Sequence, residues 1–282
     1  MSLLKIKNSH ERDSRISFVD SSHTYYIDGS SEGYISSTTL VHSFFPHFDA
    51  DVIIKKMMAS RNWSKSPYNG QSPEKIKKGW EVNRDKAATA GTAMHENIEM
   101  YYNNEPHEKD SKEFSMFSNF LNDFPNLEPY RTEWEIFDEV SNVAGSVDML
   151  YKDPDNPGSL IIADWKRSKE IKMSNRWQKG TDSLTRHLED CNFIHYSLQL
   201  ALYKYILQTR YGQKITGTFL VILHPNQENY MKIDTLDMDN TISKIMNRRM
   251  GKTVKVEKIV PEGGFQFSKD TINDIIRSGR KI

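Results

Sequence analysis

The stretch VAGSVDMLYKDPDNPGSLIIADWKRSK, residues 143–169, constrains the fold more than any other part of the chain. Its flanks are rich in β-formers and enclose DPDNPG, a cluster of turn-formers, so the pattern predicts two antiparallel strands joined by a short loop. Asn156 sits at the centre of that loop, with Asp148 eight residues before it and Asp164 eight after. A hairpin folded about Asn156 sets the two carboxylates opposite each other, provided no bulge shifts the register. Side chains alternate along a strand, so Lys166 shares the face of Asp164 while Trp165 points to the other side. Two carboxylates that close repel each other unless a cation neutralises them, and Mg²⁺ or Mn²⁺ suits such oxygen donors.

Upstream, residues 16–35 alternate aromatic and polar residues about Ser21-Ser22 and turn at Asp28-Gly29, which predicts a short hairpin. Ser36 or Ser37 can cap a short helix that Pro46 closes, and Asp49 or Asp51 can start a second one. The polar, basic segment RNWSKSPYNGQSPEKIKKG reads as a mobile excursion. A long helix then starts with Pro73 in its first turn, is interrupted near Gly91 and continues through TAMHENIEMYYN. His95 and Glu99 share a face of it, and Gly91, one turn earlier, leaves room for close backbone approach.

Residues 110–124 form an amphipathic helix with Phe114, Phe117, Phe120 and Leu121 inward, and YRTEWEIFDEV reads as a strand with Glu133 and Glu135 on one face. Beyond the central hairpin, CNFIHYSLQLALYKYILQTRYG is a strong helix ending at Gly212, with Gln199 and Tyr203 four apart. The apolar strand KITGTFLVILHP follows, then a short strand near Tyr230, a basic helix carrying Lys244, Arg248 and Arg249, and a capped helix from about Ser268.

The order GTxxH, Glu strand, GxxD, DWK and QxxxY resembles the PD-(D/E)XK nuclease superfamily, within it the RecB-like exonucleases and among these the mitochondrial genome maintenance exonucleases. The ISSTTL segment is similar to an SVT-type segment of the last group. The resemblance implies a restriction-endonuclease-like αβββαβ core, an α/β fold whose central mixed sheet is flanked by helices. It implies a region of residues 1–90 packed on a nuclease core of 91–235, with a helical extension over 236–282, all as one compact unit.

By the same resemblance Asp148, Asp164, the Trp165 carbonyl and His95 hold Mg²⁺ or Mn²⁺, Lys166 orients or deprotonates the attacking water, and Glu133 supports the metal or the water. Gln199 and Tyr203 brace the lysine or contact DNA. The implied activity is DNA exonuclease, on single strands or DNA ends, in replication, repair or recombination, with a recombination or replication protein as a companion. A structure-specific DNA or RNA endonuclease, or an inactive nucleic-acid-binding scaffold, stays open as an alternative.

Composition narrows these classes. Equal numbers of acidic and basic residues, 38 each, leave no global field to attract nucleic acid, so affinity must come from local patches. One such patch spans residues 165–186, where seven basic residues face two acidic ones and Trp177 is interleaved. Arg167, Ser168, Lys169, Lys172 and Arg176 are therefore candidates to contact a nucleic-acid backbone. The single cysteine, Cys191, rules out an internal disulfide and a four-cysteine iron–sulfur cluster. The absence of a signal-peptide core or a membrane-length apolar run leads to the expectation of an intracellular protein, cytoplasmic or nuclear.

Overall fold

The computed structural model describes residues 2–251. Strands β1 (Ile16–Val19) and β2 (Thr24–Ile27) form a small hairpin, which the left-handed residues Asp28 and Gly29 turn away from. A separate mixed sheet carries the rest: β3 (Ile35–Ser36), β4 (Glu128–Asp138), β5 (Val143–Lys152), β6 (Leu160–Lys166), β7 (Ile215–Ile222) and β8 (Met231–Asp234). Helices α1 (Leu3–Lys7), α2 (Ser37–His42), α3 (Ala50–Met58), α4 (Pro73–Tyr102), α5 (Lys112–Asp123), α6 (Asn192–Arg210) and α7 (Asp239–Met250) surround it. The expected α/β core is present: α4, which carries GTxxH, is followed after α5 by β4, β5, β6, α6 and β7.

The sheet separates two apolar cores. On one side Leu150, Leu160 and Ile162 pack with Leu198, Leu202 and Ile206 of α6, Leu40 of α2 and Ile242 of α7. On the other, Met149, Tyr151, Ala163 and Trp165 pack with Met94 and Ile98 of α4 and with Phe114, Phe117 and Phe120 of α5. Leu150 and Met149 fall on opposite sides because β5 alternates, and the same alternation sends Trp165 into the α4–α5 core and Asp164 toward α6.

Strand β5 organises the site. One flank pairs along its length with β4, while the other is shared: β3 pairs in parallel at Val143 and Ala144, and β6 pairs antiparallel from Met149 to Lys152. Residues 145–148 therefore lie in a fork between β3 and β6. β6 runs parallel to β7, which lies inside the sheet between β6 and β8, and β8 closes the far edge. No helix among the described residues is long and apolar enough to cross a membrane.

Several expectations are corrected. Helix α4 runs unbroken for 30 residues through Gly91, and a Cβ added at Gly91 would meet nothing within 4 Å, so no backbone approaches there. The roughly 1 kcal/mol that glycine costs a helix does not break one set among Ala87, Ala88, Ala90 and Ala93. The segment read as mobile is packed instead: Trp80 donates to the Tyr68 hydroxyl at 3.0 Å, and both join Ile53, Ile54, Met57 and Ile76 in a third apolar cluster. In α7, the basic helix, Arg248 pairs with Asp182 at 2.8 Å and Arg249 donates to the Ser141 carbonyl at 2.9 Å, so both guanidinium groups serve the packing of the helix. The helix expected from about Ser268 lies outside the described residues.

Candidate metal centre

The hairpin has the register that symmetry about Asn156 requires: Met149 faces Ala163 and Lys152 faces Leu160, with no bulge, so the next pair outward is Asp148 and Asp164. On the other flank, Thr132 faces Met149 and Trp134 faces Val147, which sets Glu133 beside Asp148. Three carboxylates thus stand in a row on three neighbouring strands. Past Met149 the β5–β6 ladder ends, and the Trp165 amide donates to Asp148 Oδ2 at 2.9 Å. A side chain takes the place of a backbone acceptor there and fixes the carboxylate.

Glu133 is held by its backbone as well as by its position. Its φ is +41°, a left-handed conformation that costs a non-glycine residue about 1–3 kcal/mol. Its carboxylate accepts from Ser146 Oγ at 3.2 Å and lies 3.3 Å from His95 Nδ1. His95 projects from α4, its Nδ1 also 3.6 Å from Asp148 Oδ2, and its Nε2 donates to the Trp165 carbonyl at 2.9 Å. Ligand atoms of His95, Glu133 and Asp148 all lie within 4.8 Å of one another, which is the spacing a shared cation needs. Donation of one ring N–H to a backbone carbonyl is how a ligating histidine is usually oriented, leaving the other nitrogen for the metal. The Trp165 carbonyl is thus a support for His95 as well as a candidate ligand.

Asp164, 1% exposed, is turned toward Lys166, whose Nζ lies 2.5 Å from Oδ2. That ammonium compensates the charge of the buried oxygen. A buried carboxylate beside a His–Glu–Asp group whose ligand atoms lie within 4.8 Å of one another fits a hard divalent cation.

The electrostatics agree with that fit. Burial and the like charge of Asp148 push the Asp164 carboxyl up to about 7, against the pull of Lys166. Burial also raises Asp148, against His95 and Lys166. For His95 burial disfavours the imidazolium, but the charge of Asp148 and the hydrogen bond to Glu133 outweigh it, so the ring rises to about 9. For Lys166 burial is likewise outweighed by Asp164 and Asp148, and the ammonium is raised above its ordinary range. A bound cation would reverse this balance for the acids and the histidine, because it adds the charge that protons otherwise supply.

Gly145 shows why GxxD needs its glycine: a Cβ there would lie 2.5 Å from Ser37 Oγ and 2.7 Å from Tyr203 Cε1. Both α2 and α6 reach β5 through this gap. Gln199 Nε2 donates to the Tyr203 hydroxyl at 3.0 Å and to Thr38 Oγ1 at 3.1 Å, tying the two helices together over the fork. The residue in direct contact with the lysine is one the sequence motif did not single out. The Lys166 ammonium lies 5.1 Å from the centre of the Tyr196 ring. Tyr196 precedes Gln199 by three and Tyr203 by seven, one helical stripe, which was the available signal.

The remaining candidates divide. Arg167 is held by Glu113 of α5 at 2.7 Å, Ser168 Oγ donates to the Glu170 carbonyl at 2.8 Å, and the Lys172 ammonium is enclosed. Lys169 and Arg176 are exposed.

No family model matches the sequence, and no curated protein matches it. Eighteen solved chains match by structure. SSO0001 is 14% identical, with a TM-score of 0.34, over 79% of this chain and 77% of that one. A protein from Eubacterium rectale named "Putative exonuclease" is 12% identical, also at 0.34, over 88% of this chain and 83% of that one. A likeness this loose says nothing of what the chain does, and the chemistry rests on the site itself.

Proposed function

We propose that this chain is a metal-dependent deoxyribonuclease that hydrolyses phosphodiester bonds from DNA ends, in the service of replication, repair or recombination. The observation that carries the reading is the row of Glu133, Asp148 and Asp164 across three strands, with His95 and Lys166 converging on it. Those three acids and His95, with the Trp165 carbonyl beside them, would hold Mg²⁺ or Mn²⁺. Such an ion supplies Lewis acidity to the scissile phosphate and lowers the pKa of water.

The chain's own groups do the rest. Lys166, held beside Asp164, is placed to donate hydrogen bonds to the attacking water or to a phosphate oxygen. Asp164 holds that ammonium in place, and the Tyr196 ring covers it. Tyr203 and Gln199 fix the α6 wall above the fork.

The test is a digestion time course on end-labelled linear DNA, circular DNA and RNA with Mg²⁺, Mn²⁺ or EDTA, beside Lys166→Ala. Metal-dependent loss of linear DNA that spares circles and falls at least about a hundredfold in the variant supports the reading. Cleavage of circles or RNA makes it an endonuclease instead, and no cleavage in any arm contradicts hydrolysis.

A further inference from the structure

We infer that the lobe built from α3 and the first turns of α4 grips the phosphate backbone of duplex DNA, as an anchor remote from the metal centre. The inference deepens the nuclease reading above and rests on it. Acidic and basic residues are equal in number over the whole chain, yet residues 55–80 hold seven basic residues and one acid. Lys77 is used internally, paired with Asp51 at 2.9 Å, which ties α4 to α3. Lys55, Lys56, Arg61, Lys65, Lys75 and Lys78 are exposed, and none of them enters an ion pair among the described residues. The one acid, Glu74, lies in the first turn of α4, where the positive end of the helix matches its charge.

The cations stand on a fixed base. Ile53, Ile54, Met57, Tyr68, Ile76 and Trp80 give the lobe an apolar core of its own. Asp49 Oδ1 accepts from the Asp51 and Val52 amides at 3.0 Å, and Ser72 Oγ accepts from the Lys75 amide at 3.3 Å, which caps both helices. The backbone is thus ordered before any partner arrives, which lowers the entropy lost on binding. Between Trp80 and Met94 no residue of α4 is buried, so an unburied stretch of helix separates the core of the lobe from the core around the site.

Chemistry selects the partner. A surface of cations attracts a polyanion, and one that binds single strands adds aromatic faces on which bases stack. Here the aromatics turn inward: Tyr68 and Trp80 are buried, and Trp63 packs half-buried against them. What faces outward reads phosphates and not bases, which suits a duplex, whose bases are stacked inside. Helix α4 sets the spacing. Lys78 precedes His95 by 17 residues, about 25 Å along the helix, or about seven base pairs of duplex. A duplex whose end lies at the metal centre reaches the lobe only when it is longer than that.

The test is fluorescence anisotropy in EDTA, where cleavage is off, across a salt series. The probes are a blunt duplex of about thirty base pairs, a hairpin of about six, and a single strand as long as the first. One variant carries Lys55→Gln, Lys56→Gln, Lys75→Gln and Lys78→Gln, all at exposed positions, and a companion carries Lys→Arg at the same four. The glutamine variant should bind the long duplex at least about tenfold more weakly at physiological salt, with the logarithmic salt slope flattened by about two, as the loss of two or more phosphate contacts requires. The arginine variant should bind it as wild type does. Binding of the short hairpin and hydrolysis of a small nitrophenyl phosphodiester should be unchanged in both. Unchanged affinity and slope on the long duplex, an equal loss on the hairpin, or a loss on the single strand as large as on the duplex overturns the anchor. Wild-type cleavage of DNA beside that result leaves the nuclease reading standing, whereas a wild type that binds and cleaves no polymer overturns both.

Discussion

Asp164→Asn is expected to lower DNA cleavage by at least about a thousandfold, a barrier increase of about 4 kcal/mol, without lowering the melting temperature in EDTA. The cleavage loss follows from charge: asparagine keeps the shape but removes the anion that positions Lys166 and that a cation would share with Asp148. The stability follows from the direction of the carboxyl's shift. Buried beside Asp148, Asp164 holds its proton up to about 7, whereas in the unfolded chain it releases it near its ordinary value of 3.8. Ionisation therefore weakens the folded state as pH rises between those values, and the neutral amide is spared that penalty. Activity assays and thermal melts in EDTA check the two halves. Cleavage within tenfold of wild type removes Asp164 from the chemistry.

The largest stability effect is expected at Arg131, two residues before Glu133 on β4. This guanidinium is 2% exposed, pairs with Asp13 at 2.9 Å, donates to the Asn8 carbonyl at 2.9 Å and stacks 4.4 Å from the Trp134 ring centre. It fastens residues 8–13 to the strand that carries Glu133. Arg131→Ala removes a buried guanidinium and leaves the half-buried Asp13 without its cation, and should cost about 3 kcal/mol, or roughly 10 °C in Tm. Arg131→Met with Asp13→Asn should recover much of that, because no charge is then stranded.

The acid limb of stability carries the same signature. Burial raises the Asp13 carboxyl, but hydrogen bonds from Arg131, the His10 amide and Trp134 outweigh it, and the net shift is downward. A depressed carboxyl stabilises the fold above its unfolded pKa and loses that contribution as pH falls below it. Arg131→Ala should therefore flatten the fall in stability below about pH 4. A Tm within about 2 °C of wild type, with the same acid limb, contradicts the anchoring role.

How much of this was legible in the sequence depended on how local the cause was. The Asp148–Asp164 opposition was readable because strand alternation and one turn set it, and both lie within 27 residues. The helices and strands of the core were readable from apolar periodicity, and their αβββαβ arrangement from the resemblance that the motif order carries. Strand β3 was not, since its two residues pair with β5 across more than a hundred positions. The strength of Glu133's place in the cluster was also hidden, because alternation alone does not reveal a left-handed residue that aims a side chain at His95. Charge counting saw the basic segment after β6 but not its wiring: Arg167 and Lys172 are turned inward, and the exposed charge is left to Lys169, Arg176, Lys179 and Arg186. At Gly91 and Gly145 the same residue type meant different things, open space at one and a 2.5 Å approach at the other, which only tertiary packing decides.

The most direct measurement of the central claim is calorimetric titration of Mn²⁺ into wild type, Asp148→Asn and Glu133→Gln at pH 7.5. If the carboxylate row is a metal centre, wild type binds Mn²⁺ saturably with release of protons, and each variant loses at least about tenfold in affinity. Equal binding in all three proteins, or none in wild type, contradicts it.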